Sequence, residues 1–397
     1  MQYKFSERAL HGEPSLIREI DAYSFNNPAF ISLADGNPAY ESYPVEALRE
    51  LNDLVYSQNS KEALLYGPFG GLPELQAQVA ERLEKVKGIS ASENAVFMTP
   101  GAQMALYLMP LLFCDEGDVV LTEEFSYAHA LAAVKEFNCR PVGVKTDDDG
   151  INLEALEHAL KTEKRVKYLY LVPNFGNPSG ITLSLEKRKA IYDLACTYDI
   201  MIFEDDAYGD LIYAGDPVPT IKSFDKEGRV VYVGTFSKTL SAGLRVGYMS
   251  CSKEIWDKAY AAKGNIDAGS NMTAQYIVSY YLDRYDFEAH INNVRKIYTA
   301  KWEKMRQCLD QYMHPACKRS DPNGGMFFWV TLPEYVDADA VFKAALEAQV
   351  GVVPSSTFAA NPDNKGRAFR LCFSCSTLEQ IEEGCKRFGE VTRKFCR

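Results

Sequence analysis

Lys238 closes the run Thr235-Phe236-Ser237-Lys238, and Arg245 follows seven residues later in Gly243-Leu244-Arg245-Val246-Gly247. An amine with hydroxyls just before it and a guanidinium just after could hold a phosphorylated aldehyde covalently and ionically at once. Most lysines are solvated surface residues, so the reading depends on this one's companions. Directly before it, Val230-Val231-Tyr232-Val233-Gly234 is an apolar, β-branched run that reads as a strand.

The companions follow similar runs. Ile200-Met201-Ile202-Phe203 leads into Glu204-Asp205-Asp206-Ala207-Tyr208, delivering carboxylates and a phenol at a strand end. A carboxylate facing a pyridine nitrogen keeps it protonated, because a buried ion pair favours the charged form of both partners. Asp205 is assigned that role, and Tyr208 a hydrogen bond to the phenolic oxygen of the same ring. Alone, an acidic cluster after a strand would read as a solvated loop. In Pro173-Asn174-Phe175-Gly176-Asn177-Pro178-Ser179-Gly180, proline and glycine fix a sharp turn. The Asn177 amide there can donate to the same ring oxygen and to a substrate carboxylate. Thr99-Pro100-Gly101-Ala102-Gln103 opens an apolar helix whose small first residues expose N–H groups, a setting that binds phosphate. Gly101, Ala102, Gln103, Thr235, Ser237 and Arg245 would together form a dianion cup. Tyr127, in Phe125-Ser126-Tyr127, could stack on a planar ring, although such an aromatic is more often core. An aldehyde for the lysine, a pyridine for the carboxylate and a phosphate for the cup point to pyridoxal 5'-phosphate.

These loops need a frame. From about residue 45 to 285, short apolar runs alternate with amphipathic stretches, the pattern of a βα-layered domain with a mainly parallel sheet. Strands are expected at Ala95-Met98, Val119-Thr122, Lys167-Val172, Ile200-Glu204, Val230-Gly234 and Gly247-Ser250. Helices are expected at Leu72-Lys87, Gln103-Phe113 and Leu185-Tyr198, the last capped by Ser184. The chemical loops thus lie at the strands' carboxyl edge, where open α/β sheets gather ligands. From Tyr285, apolar residues recur at three- and four-residue steps to Tyr312, a long amphipathic helix. It leads into a smaller α+β domain, residues 286–397, with strands at Gly325-Thr331 and Ala368-Phe373 and a closing helix near Leu378-Phe388. Residues 1–45 read as an arm crossing to that domain, leaving 46–285 as the large domain.

A chain of 397 residues with 47% apolar content can bury a large core. Its 43 basic and 54 acidic residues give a charge of -11 without a long basic run, which argues against a nucleic-acid surface. The longest apolar stretch, Met104 to Cys114, is too short to span a membrane and contains Pro110. The charged N-terminus lacks the apolar core of a signal peptide, so cytoplasmic residence is expected. Ten cysteines without paired spacing suit reduced thiols. Cys372-Phe373-Ser374-Cys375 lacks a second pair, and the five histidines are dispersed, so no metal is expected.

Taken in this order, the motifs resemble the fold-type I pyridoxal-phosphate enzymes, specifically the class I/II aminotransferases, over nearly the whole chain. The resemblance implies a mainly parallel seven-stranded type of sheet flanked by helices, and amino-group transfer from an L-amino acid to a 2-oxo acid by a ping-pong mechanism. Lys238 then matches the lysine that holds the cofactor and later shuttles the proton. Tyr66, in Leu65-Tyr66-Gly67-Pro68, matches a tyrosine that reaches the phosphate of the neighbouring subunit, implying a homodimer with shared sites. Arg370, in Phe369-Arg370-Leu371, matches the arginine that grips the substrate α-carboxylate; its bland alternative is an exposed strand arginine. Ser15-Leu16-Ile17-Arg18-Glu19, Tyr66-Gly67-Pro68 and Gly324-Gly325-Met326-Phe327 look like the α-aminoadipate and kynurenine aminotransferase group, in which the residue matching Arg18 can meet a side-chain carboxylate. Gly36 falls in the arm that shapes the substrate pocket, but Asp35-Gly36-Asn37-Pro38 stands where Gly-Gly-Leu-Pro is usual, and Phe125 replaces a frequent proline. Two other readings share the lysine: a carbon–sulfur β-lyase, and a ligand-sensing domain of the kind fused to transcription regulators.

Overall fold

The computed structural model describes residues 3–10 and 16–396. Ser15, in one of the runs above, lies outside them. Seven strands form one sheet in the order Ala95–Thr99, Gly247–Cys251, Val230–Thr235, Met201–Asp205, Val166–Leu171, Val119–Glu123, Arg140–Val144. Neighbours are parallel except at Gly247–Cys251, which runs antiparallel to both of its own. The six strands expected from apolar runs are all present, each within a residue of the expected limits. The seventh, Arg140–Val144, has no counterpart in the apolar pattern, because Pro141 and Gly143 interrupt it. It forms the sheet's edge and pairs on one side only, the place where a strand tolerates proline.

Alternation along the strands feeds two faces. Val120, Tyr168, Tyr170 and Phe203 pack toward helices Ala102–Phe113 and Ala128–Glu136, while Leu121, Leu169, Leu171 and Ile202 pack toward Leu153–Thr162 and Leu185–Thr197. Ser184 caps the last of these, its side chain accepting from Lys187 N. The helix expected over Leu72-Lys87 is α-helical at Pro73–Arg82 and widens over Leu83–Lys87, where Gly88 (φ 69°) ends it.

Helix Phe287–Tyr312, capped by Asp286, carries the chain to a four-stranded sheet ordered Lys318–Arg319, Phe327–Thr331, Ala368–Cys372, Val353–Pro354. The closing helix, Leu378–Phe395, runs well past Phe388. Its start is fixed by the reciprocal Thr377 and Gln380 capping bonds. The N-terminal segment meets this sheet where Cys372 N donates to Leu33 O at 2.8 Å, and beside it Ile31–Ser32 pairs in parallel with Val350–Gly351 as a separate two-stranded ribbon. Among the described residues no helix is long and apolar enough to cross a membrane.

Candidate active site

Thr99, Gly247 and Thr235 lie abreast on three adjacent strands. This register brings the loops after Thr99 and Thr235, and the turn before Gly247, to one edge of the sheet. A Cβ on Gly247 would sit 2.6 Å from the Gly101 carbonyl carbon, so only glycine allows the approach. Gly101 (φ 71°) caps helix Ala102–Phe113, and a Cβ there would lie 2.3 Å from the Arg245 guanidinium. Thr235 Oγ1 donates to Ser237 Oγ at 2.9 Å and accepts from Ser237 N at 3.1 Å. Arg245 Nη1 reaches the same Ser237 hydroxyl at 3.4 Å. Two hydroxyls, a guanidinium and a helix N-terminus thus converge.

A cavity of about 710 Å³ opens on this cup, and Ala102, Gln103, Thr235, Ser237, Lys238 and Arg245 line one part of it. Tyr127, Asn177, Asp205 and Tyr208 line another, with exposed Arg18 also on its wall. Lys238 is half-buried, and its Nζ donates to the Gly36 carbonyl at 2.9 Å, tying the amine to the arm. Burial pushes that amine below the usual lysine range.

Asp205 is 4% exposed, and Tyr170 Oη donates to its Oδ2 at 2.9 Å. Its other oxygen, Oδ1, is buried and has no hydrogen-bond partner among the described residues. Burial pushes the carboxyl up to about 6, against the lowering effect of the Tyr170 bond. A buried carboxylate oxygen with nothing to accept is costly, and a ring N–H is the donor that would complete it.

Arg370 is 2% exposed, which removes the surface-arginine alternative. Its Nη1 donates to Asn177 Oδ1 at 3.0 Å and its Nη2 to the Ala34 carbonyl at 2.6 Å, while its buried Nε has no hydrogen-bond partner among the described residues. The guanidinium lies over Phe327 (4.5 Å) and Phe358 (5.0 Å). Because the Asn177 oxygen is taken by Arg370, its amide nitrogen is the end left for a ligand. Gly101, Gly36 and Arg370 are in direct contact with the cavity wall, Gly101 against Arg245, Gly36 through its bond to Lys238 and Arg370 through its bond to Asn177. Tyr66 is not part of this assembly: within one chain it is 93% exposed.

Sequence reasoning missed Tyr170, which as an aromatic inside a strand reads as core. It also missed His129, whose ring lies edge-on to Tyr127 at 5.3 Å on the cavity wall.

The chain belongs to the aminotransferase class I and II family, whose model matches residues 28–388. It is therefore an enzyme that transfers amino groups. Aromatic-amino-acid aminotransferase 1 of Thermococcus litoralis is 36% identical, over 98% of this chain and 94% of its own. The crystal structure of Pyrococcus horikoshii kynurenine aminotransferase superposes with a TM-score of 0.95 at 36% identity, covering 99% of this chain and 98% of the other. That of LysN, the α-aminoadipate aminotransferase of Thermus thermophilus, superposes with a TM-score of 0.90 at 33% identity, covering 98% and 97%. The resemblance to the aminoadipate and kynurenine group is thus supported at the level of whole chains.

Proposed function

We propose that the cavity holds pyridoxal 5'-phosphate on Lys238 and that the protein passes the amino group of an L-amino acid to a 2-oxo acid. The observation that carries this reading is the unpartnered, buried Oδ1 of Asp205 in the same cavity as the amine. The LysN structure, complexed with N-(5'-phosphopyridoxyl)-L-leucine, supports it.

When bound, the cofactor supplies an electron sink beside the Cα–H bond of the amino acid. Asp205 Oδ1 would hold the ring nitrogen, with Tyr170 fixing its other oxygen. Tyr208 and Asn177 would hold the ring oxygen, Tyr127 would pack on the ring, and the cup of Gly101, Ala102, Gln103, Thr235, Ser237 and Arg245 would hold the phosphate. Arg370 orients the α-carboxylate. Lys238 Nζ, made easier to deprotonate by its burial, would move the Cα proton. Arg18 is proposed to meet a carboxylate on the substrate side chain. Tyr66, beside exposed Leu64 and Leu65, is proposed to reach the site of a partner subunit in a homodimer.

The test is to add L-amino acids, including aromatic ones and 2-aminoadipate, to the purified yellow protein and follow its visible band. Bleaching, with an oxo acid released and restored colour on adding 2-oxoglutarate, is expected. Lys238→Ala should fold and fail to turn over, and turnover in that variant would defeat the assignment.

A further inference from the structure

Asp206, the neighbour of Asp205, has a fully buried side chain bound by three other elements. Asn174 Nδ2 donates to its Oδ1 at 2.6 Å, Tyr232 Oη donates to its Oδ2 at 2.7 Å, and the Lys87 ammonium lies 3.2 Å from Oδ2. Lys87 is also 3.2 Å from Asp210, which Arg82 meets at 3.1 Å. Arg188, buried in helix Leu185–Thr197, donates to Asn174 Oδ1 at 2.6 Å and so fixes which end of that amide faces Asp206. Glu204, Tyr232 and Tyr248 are the further titratable groups in the electrostatic reach of Asp206.

Two features connect this cluster to the cavity. Asn174 precedes Asn177 by three residues in the same loop, and Asp206 directly follows Asp205. The Asn174–Asp206 bond therefore joins the loop carrying Asn177 to the strand end carrying Asp205. The second feature is charge. The Asp206 charge pushes Asp205 upward. The buried anions Asp206 and Asp210 draw their counter-charge from Lys87, which touches both, and from Arg82, which meets Asp210 and, at 2.8 Å, exposed Glu288, so Lys87 is the cation in contact with Asp206. Removing Lys87 leaves one buried negative charge uncompensated next to Asp205, a costly state in a low-dielectric surrounding.

We propose that Lys87 is a positioning residue for the reaction: by countering Asp206 and locking it against Asn174, it sets how strongly Asp205 and the cofactor ring hold their proton. The inference rests on the cavity being a pyridoxal phosphate site.

The experiment uses the holoprotein and reads two quantities, the pH midpoint of the cofactor's visible band and cofactor retention. Lys87→Met is expected to raise the midpoint by on the order of one pH unit, because a positive charge that favours loss of the proton is removed. Retention of the anionic cofactor should weaken about tenfold. Lys87→Arg should restore both, and the double variant Lys87→Met/Asp206→Asn should return the midpoint toward wild type. Should Lys87→Met not fold, Asp206→Asn alone, nearly isosteric, is expected to lower the midpoint. A midpoint unmoved in the single variants, whatever their melting temperatures, overturns the proposal. Wild-type protein that takes up no pyridoxal phosphate overturns the site reading beneath it instead.

Discussion

Tyr170→Phe isolates one bond at the centre of the site. It keeps the ring that packs on Phe203 at 5.4 Å and deletes the hydroxyl that donates to Asp205 Oδ2 at 2.9 Å. A hydrogen bond to a charged group contributes about 1.5–3 kcal/mol, which at ~1.4 kcal/mol per unit is about one to two pH units. The bond favours the ionised carboxylate, so its loss moves Asp205 upward. With the lower figure, the group goes from about 6 to about 7. At pH 6 its ionised fraction then falls from about one half to about one tenth, whereas at pH 8 about nine-tenths remains ionised. If cofactor capture needs that charge, affinity drops about fivefold at pH 6 and barely at pH 8. The assay is equilibrium titration of cofactor-free protein with pyridoxal phosphate between about pH 5.5 and 8.5. An acid limb that coincides with wild type, or a loss uniform across pH, would refute the reasoning.

Arg370→Lys removes a planar donor held between Phe327 and Phe358 and leaves Asn177 Oδ1 without its partner. The specificity constant for any amino acid should fall about 30- to 1000-fold, corresponding to about 2–4 kcal/mol, and a drop of less than about threefold in steady-state kinetics would contradict the carboxylate role. Gly101→Ala puts a methyl 2.3 Å from the Arg245 guanidinium at a φ of 71°. Its pyridoxal phosphate affinity is expected to weaken about tenfold or more, one pH-independent unit of ~1.4 kcal/mol, and wild-type affinity by titration would remove Gly101 from the cup. Glu123 is buried, and burial pushes it from 4.5 up to about 7. Its charged form is thus penalised in the folded state, with the penalty absent below about pH 4.5 and complete above about pH 7. Glu123→Gln should therefore stabilise the protein by up to about 3 kcal/mol at pH 8 and by nothing near pH 4; denaturant unfolding showing the same gain at both would exclude this origin.

The site was legible where chemistry follows an apolar run. Asp205 ends a strand, and Lys238, Asn177 and Gly101 lie within a few residues after one, each strand marked by β-branched or aromatic residues, and the sheet brings those ends to one edge. The edge strand Arg140–Val144 was illegible because Pro141 and Gly143 mask its pattern. Tyr170 was illegible for a different reason. Its ring does what a core residue does, and only the pairing of Tyr170 with Phe203 across Val166–Leu171 and Met201–Asp205 shows its hydroxyl beside Asp205. The Lys87, Asp206, Asp210 and Arg82 cluster spans more than a hundred residues of sequence, and charged positions on amphipathic helices read as solvated. Arg188 is the sharpest case: fully buried in a helix whose Glu186, Lys189 and Asp193 are exposed.

The reversed strand Gly247–Cys251 has a consequence for how this protein tolerates change. Because it turns back between two forward strands, one short connection of the chain carries both Lys238 and Arg245, the proposed attachment point and counter-charge. The anchor can then be altered only as a block. A slip of a single pairing position would swap inward for outward side chains along that ribbon and carry the guanidinium to the wrong side of the sheet. Insertions between 239 and 244 should accordingly be far harder to accommodate than insertions of equal length in the outer turns near 147–149.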